Sequence, residues 1–111
     1  MLISALGFVS PVNAASNNLW AWGLNSYGQL GYSLTLFVTE PVRVSGLTGV
    51  IAVAASYQHS MIIKSDGTVW AWGSNSYGNL GDGTNTYPTN QPTPIQVSGL
   101  IGVTAIAAGY G

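Results

Sequence analysis

The sequence predicts an all-β fold, a partial propeller assembled from repeated blade-like units. Three observations carry this. A Trp- and Gly-rich block recurs at a spacing of fifty residues. An Asp-Gly pair separates two apolar runs, the pattern of a tight hairpin. And no stretch sustains a helical period between caps, so essentially no helix is expected.

The repeat is read by comparing the chain with itself. Residues 19–31, Leu-Trp-Ala-Trp-Gly-Leu-Asn-Ser-Tyr-Gly-Gln-Leu-Gly, return at 69–81 with ten of thirteen positions identical. A second block, 41–55, returns at 94–108, an offset of fifty-three. The three extra residues fall between Asp82 and Thr93, in a stretch that holds Pro88 and Pro92. Length variation of this kind is what a surface loop tolerates. The organisation is therefore a signal-peptide-like segment at 1–15, repeat unit 1 at 16–66 and an incomplete repeat unit 2 at 67–111.

Each unit reads as strands. His59 to Lys64 and Val69 to Gly73 flank Ser65-Asp66-Gly67-Thr68, where a primed turn is expected. Side chains alternate along a strand, so Trp70 shares a face with Trp72, and Trp20 with Trp22. These tryptophans are expected in the core. The runs 50–55 and 103–108 are apolar throughout and are expected to be strands covered on both faces. Unit 1 departs from unit 2 in two places. It has Tyr32-Ser33-Leu34 where unit 2 has Asp82-Gly83-Thr84, which predicts an altered turn. It also lacks the hairpin that leads into the Trp strand.

Residues 1–16 begin with a short apolar run, Leu2 to Val9, followed by Pro11 and by Val12 and Ala14 spaced for cleavage after Ala14. The run is too short to span a bilayer. Export is expected on this pattern; the competing reading is a degenerate strand of a preceding unit. At the other end, residues 107–111 match 54–58, one position short of the counterpart of His59. That predicts a fragment of a longer product, with self-assembly of short chains into a ring, or a decayed remnant, as the alternatives.

Composition limits function. The chain has 15 glycines in 111 residues, 47% hydrophobic residues and 5% charged residues, which rules out a disordered tail. Only Arg43 and Lys64 are basic and the net charge is −1, which argues against a nucleic-acid or anionic-membrane partner. With no cysteine, disulfides, thiolate chemistry and cysteine–zinc sites are absent.

No constellation supports catalysis. His59 is the only histidine. Its neighbour Ser60 points to the opposite face of a strand and cannot pair with it. Glu40, Asp66 and Asp82 are scattered, so no metal is expected. The Asp82-Gly83-Thr84-Asn85 segment lacks the acids of a calcium loop. No phosphate-binding Gly-Lys motif is present, and no cofactor is expected. The candidate binding residues are Tyr27 and Tyr77, in loops that follow the Trp strands, with Asn25 and Asn75 beside them.

The combined pattern carries a resemblance. Trp-Ala-Trp-Gly-x-Asn-x-Tyr-Gly-x-Leu-Gly, then Pro-x-x-Val, Val-x-x-Ile-Ala-Ala-Gly, His-Ser and Asp-Gly-Thr-Val-Trp resembles the regulator of chromosome condensation repeat in its bacterial form, over residues 18–111. The resemblance implies a seven-bladed propeller of four-stranded antiparallel blades, of which this chain would supply about two. It also implies protein binding. Relatives include guanine-nucleotide exchange factors that dock chromatin, a plant ultraviolet receptor and a secreted bacterial inhibitor of β-lactamases. Fold alone does not choose among these. The expected function is a non-catalytic, exported scaffold for protein–protein interaction, placed outside the cell or at its surface. Its partner is another protein, further repeats of the same polypeptide, or a second copy. The alternative is a cytoplasmic regulator related to the exchange factors.

Overall fold

Glycine turns and β-branched or aromatic runs alternate along the chain, and the strands fall where that alternation puts them. The computed structural model describes residues 2–4, 18–32, 35–85 and 90–110. The signal-peptide-like segment 1–15 lies outside the described residues apart from the backbone of 2–4, and Pro88 also lies outside them. Seven strands are formed: β1 Leu2–Ser4, β2 Trp20–Leu24, β3 Phe37–Arg43, β4 Val50–Ala55, β5 His59–Lys64, β6 Val69–Ser74 and β7 Asn90–Gln96. The described residues contain no helix, and none therefore long and apolar enough to cross a membrane.

Strands β4-β5-β6-β7 form one complete four-stranded antiparallel blade. It straddles the sequence repeat: β4 and β5 come from unit 1, β6 and β7 from unit 2. Strands β2 and β3 are the antiparallel outer half of another blade. The hairpin missing before Trp20 is replaced at that edge by β1, which pairs parallel with β2 from Leu2↔Trp20 to Ser4↔Trp22. The all-β propeller expectation therefore holds, distributed as one blade and a half-blade.

Both Trp strands carry the same irregularity. Between Ala21 and Gly23 the partner advances from Val42 to Val38, and between Ala71 and Gly73 it advances from Ile95 to Gln91. The partner thus spends extra residues opposite each inner tryptophan. Pro41 falls in the first of these bulges, and Pro92 and Pro94 in the second. Proline has no N–H for a ladder, and edge strands and bulges are where it is tolerated.

The blade buries both faces. Ile62 and Trp72 point to one side, where they meet Leu19, Ala21, Leu30, Val44, Leu47 and Val50. Ile63 and Ala71, their neighbours along β5 and β6, point to the other, with Val69, Leu80 and Val97. The first cluster joins the half-blade to the blade.

Three expectations are corrected. The Asp66-Gly67 turn is not a two-residue primed turn. Gly67 N–H donates to the Lys64 carbonyl at 2.8 Å and Lys64 N–H to the Thr68 carbonyl at 2.9 Å, a three-residue connection closed by a left-handed Gly67 (φ 79°). The Asp66 carboxylate caps it by accepting the Thr68 N–H and hydroxyl. Strand β4 is only partly covered: Val50 is buried, Val53 and Ala55 pack against one cluster and Ala52 against the other, and Ile51 is 52% exposed. Residues 103–108 form no strand: β4 is held along its length by β5, whereas the matching run meets the blade through the Val103 N–H, which donates to the Gly67 carbonyl at 3.4 Å, and builds no ladder among the described residues.

Gly73 lies against the start of β5. It pairs with His59 and has φ 107°. A Cβ there would lie 2.7 Å from His59 Cα and press on the Gln58 carbonyl oxygen. Gly73→Ala is therefore expected to cost about 2 kcal/mol or more in unfolding free energy. Gly46→Ala, where φ is 79° but nothing lies within 4 Å, should cost only about 1 kcal/mol. Urea denaturation of the two variants checks the difference.

Candidate interaction surface

The loop after each Trp strand is built twice with the same bonds. Asn25 Oδ1 accepts the Leu30 N–H at 3.0 Å, and Asn75 Oδ1 accepts the Leu80 N–H at 3.0 Å. Gly28 N–H donates to the Asn25 carbonyl and Gly31 N–H to Gly28, as Gly78 and Gly81 do in unit 2. The side chain two residues beyond each tyrosine accepts its N–H: Gln29 for Tyr27, Asn79 for Tyr77.

These bonds decide the fate of the candidate residues. Asn25 and Asn75 are buried, at 1% and 4% exposure, and their amide groups are engaged inside the loops. Asn25 Nδ2 donates to the Tyr32 carbonyl; Asn75 Nδ2 donates to Asp82 Oδ1 and to the Thr84 carbonyl and hydroxyl. The two asparagines hold the loops and do not present themselves to a partner. Tyr77 stands out at 83% exposure, while Tyr27 is half-buried. The altered turn of unit 1 shows in Tyr32, whose hydroxyl donates to the Ala21 carbonyl at 3.3 Å in a place where unit 2 uses Asp82 and Thr84. Burial raises the Tyr32 pKa. The Asp82 carboxyl is held below its ordinary range by the Thr84 N–H and hydroxyl, and then by Asn75.

The turn between β4 and β5 lies at the same end of the blade, because His59 pairs with Gly73 and Ser74 N–H donates to the Gln58 carbonyl. It carries Tyr57, which stacks on Tyr110 with ring centroids 5.8 Å apart and an interplanar angle of 19°. Gln29 bridges the two loops: its Oε1 holds the Tyr27 N–H and its Nε2 donates to the Tyr57 carbonyl. Four of the six tyrosines, at 27, 57, 77 and 110, therefore belong to one end of the blades. Tyr57 and Tyr110 are not among the sequence candidates, although they match each other just beyond the second repeated block, at its spacing of fifty-three residues.

The four tryptophans divide. Trp72 is fully buried and Trp70 half-buried, with Lys64 Nζ 5.3 Å from the Trp70 ring centroid. Trp22 is only half-buried and Trp20 is 36% exposed, so the core expectation holds fully for Trp72 alone.

His59 does meet a serine, but Ser56 rather than Ser60. Ser56 Oγ lies 2.8 Å from His59 Nδ1 and accepts the N–H groups of Gln58 and His59. Both side chains are buried. The serine oxygen is tied into a turn, and the pair fastens β4 to β5 without offering a nucleophile to solvent. Ser60 turns the other way and donates to the Gln29 carbonyl at 2.8 Å.

The repeat family decides the relationship. The regulator of chromosome condensation (RCC1) repeat matches residues 16–63 and 66–111, and a second form of it matches 50–79. The chain belongs to the RCC1 repeat family. Its fold is similar to that of yeast RCC1 (Prp20) in a crystal structure with Kap60 bound, with a TM-score of 0.71 and 27% identity over 85% of this chain. It is also similar in fold to human WBSCR16, with a TM-score of 0.70 and 22% identity over 86% of this chain. The chain spans 24% and 25% of those two chains, about a quarter of each. No curated protein sequence matches it. An RCC1-repeat propeller scaffold is the reading that these similarities support.

Burial pushes the His59 pKa below its ordinary 6.5. The fold thus favours the neutral ring, and protonation favours the unfolded chain. The His59 contribution is complete above pH ~6.5 and falls as pH drops through that value towards the folded pKa. The thermal midpoint of the chain should fall between about pH 7.5 and pH 5, and His59→Gln should flatten that slope whatever it does to the absolute midpoint.

Proposed function

We propose that this RCC1-repeat chain is a non-catalytic scaffold that binds a protein partner through the tyrosine-bearing end of its blades, outside the cell or at its surface. The single observation behind it is the gathering of Tyr27, Tyr57, Tyr77 and Tyr110 at one end, with Tyr77 almost fully exposed. Tyrosine brings a large, stiff, amphipathic contact and is enriched where proteins meet. The Asn25, Asn75 and Gln29 bonds hold these loops in place before any partner arrives, which lowers the entropy lost on binding. The presence of Kap60 on the similar yeast RCC1 supports a protein as the partner class. Two basic residues support it further by leaving little for a phosphate backbone to meet. Export rests on the apolar run and the cleavage pattern at Ala14.

The alternative, a cytoplasmic regulator related to guanine-nucleotide exchange factors, draws on the same family. It would need charged loops to meet a GTPase and its nucleotide, and five charged residues in 111 supply few.

One experiment tests the proposal. The chain is produced in its own cells with a photo-crosslinking residue at position 77 or, as a control, at position 66 on the opposite end of the blade. Position 77 should give discrete protein adducts, position 66 none, and the recovered chain should come from the medium or surface with Ala15 at its N-terminus. Tyr77→Ala should weaken capture of the same partner by about tenfold or more. Equal labelling at both positions would remove the tyrosine end as the binding surface.

A further inference from the structure

The contact between the half-blade and the blade is a template. Trp72 Nε1–H donates to the Gln29 carbonyl at 2.8 Å. Its indole lies over Gly31, where a Cβ would come within 2.9 Å of Nε1 and 3.1 Å of Val44 Cγ1. Leu19, Leu30 and Leu47 complete the seat.

Unit 2 builds the same seat again on the far side of the blade. Val69, Asn79, Leu80, Gly81, Val97 and Leu100 match Leu19, Gln29, Leu30, Gly31, Val44 and Leu47 in turn. Together with Val103, Ala105, Ile106 and Ala107 they line an open, mainly apolar groove of about 450 Å³. No indole fills it: the nearest atom to a Cβ placed on Gly81 is Val97 Cγ1, at 3.3 Å. Leu100 remains 43% exposed at its rim, whereas Leu47 is 3% exposed.

The template says what fits: a tryptophan at the bulge of a Trp-Ala-Trp-Gly strand. The chain has four tryptophans, and the internal contact uses those of β6. Of the other pair, Trp22 holds the position of Trp72. It lies on the face of β2 opposite Ala21, which is buried in the internal contact, and it is half-exposed. Within one molecule Trp22 and the groove are on opposite sides of the blade and a half, so Trp22 cannot reach its own groove.

We propose that the groove receives the Trp22 face of a second copy of this chain, head to tail, with the Trp22 indole N–H directed to the Asn79 carbonyl. The contact is heterologous, so each copy keeps one free Trp22 face and one free groove, and the assembly can grow or close into a ring. It shares the Asn79 loop with the tyrosine end, but none of the tyrosines lines the groove, and its failure leaves the proposed partner binding untouched.

The test uses two variants of the full chain, Trp22→Ala, which removes the knob, and Leu100→Asp, which charges the rim of the groove. Light scattering of the wild-type chain should show a mass that rises above the monomer with concentration. Each variant alone should weaken association by at least about tenfold. An equimolar mixture should form dimers and nothing larger, because it holds one intact groove and one intact Trp22 face. Complementation of this kind also shows that both variants are folded. Tyr77→Ala should assemble as wild type does. A wild-type chain that stays monomeric at all concentrations would overturn the proposal and assign the groove to a following repeat of a longer chain. Variants that assemble like wild type, or a mixture that stays monomeric while wild type assembles, would overturn it as well.

Discussion

One carbonyl oxygen joins the two parts of the molecule. The Gln29 main-chain oxygen receives the Trp72 indole N–H and the Ser60 hydroxyl, each at 2.8 Å, so a buried acceptor has two donors, both from the neighbouring blade. Each bond contributes about 1 kcal/mol net, but leaving such a buried group without a donor costs about 1–3 kcal/mol, so the pair fixes geometry more than it adds stability. Much else exists to place that oxygen. Asn25 pins the loop that carries it. Gly31 clears room for the indole, and the bulge opposite Trp72 sits beside Pro92 and Pro94. Even Gly28 is fitted to the interface, since a Cβ there would lie 2.6 Å from Pro92 Cα.

The phase of the repeat follows from this contact. The blade takes two strands from each sequence unit, so neither unit closes a sheet by itself. The loop of one unit then fastens the β5–β6 hairpin that bridges to the next. Stability in such an arrangement is a sum of units and of the contacts between neighbours, and the contacts are what make it cooperative. A unit that repeats the loop and the seat, as residues 69–100 do, repeats the demand for a neighbour.

Much of this was legible in the sequence. The Trp strands, the Asp66-Gly67 hairpin and the absence of helix follow from alternation, turn chemistry and period, all of which are local. What escaped was set by tertiary contacts. Asn25 and Asn75 read as loop residues and hence as exposed, but a short amide side chain that can satisfy a backbone N–H inside its own loop is drawn inward. Ser56 could not be matched to His59 from spacing alone, because the pairing depends on how tightly the β4–β5 turn closes. Residues 103–108 have the composition of β4 but form no ladder among the described residues, and composition alone does not make one. Tyr57 carried a usable signal, its match with Tyr110 at the spacing of the second repeated block, which marks a turn position that returns in each unit.

The chemistry left after this accounting is that of surfaces. His59, Asp66 and Asp82 are each engaged by neighbouring turns, and the tyrosine end and the apolar groove face different directions. The central claim is that the Gln29 carbonyl holds the blades together through Trp72. Hydrogen exchange of the four indole N–H groups, followed by nuclear magnetic resonance, reads this directly. The account predicts that the Trp72 N–H exchanges slowest, only on global unfolding, while those of Trp20 and Trp22 exchange far faster. A Trp72 N–H that exchanges as fast as that of Trp20 would contradict it.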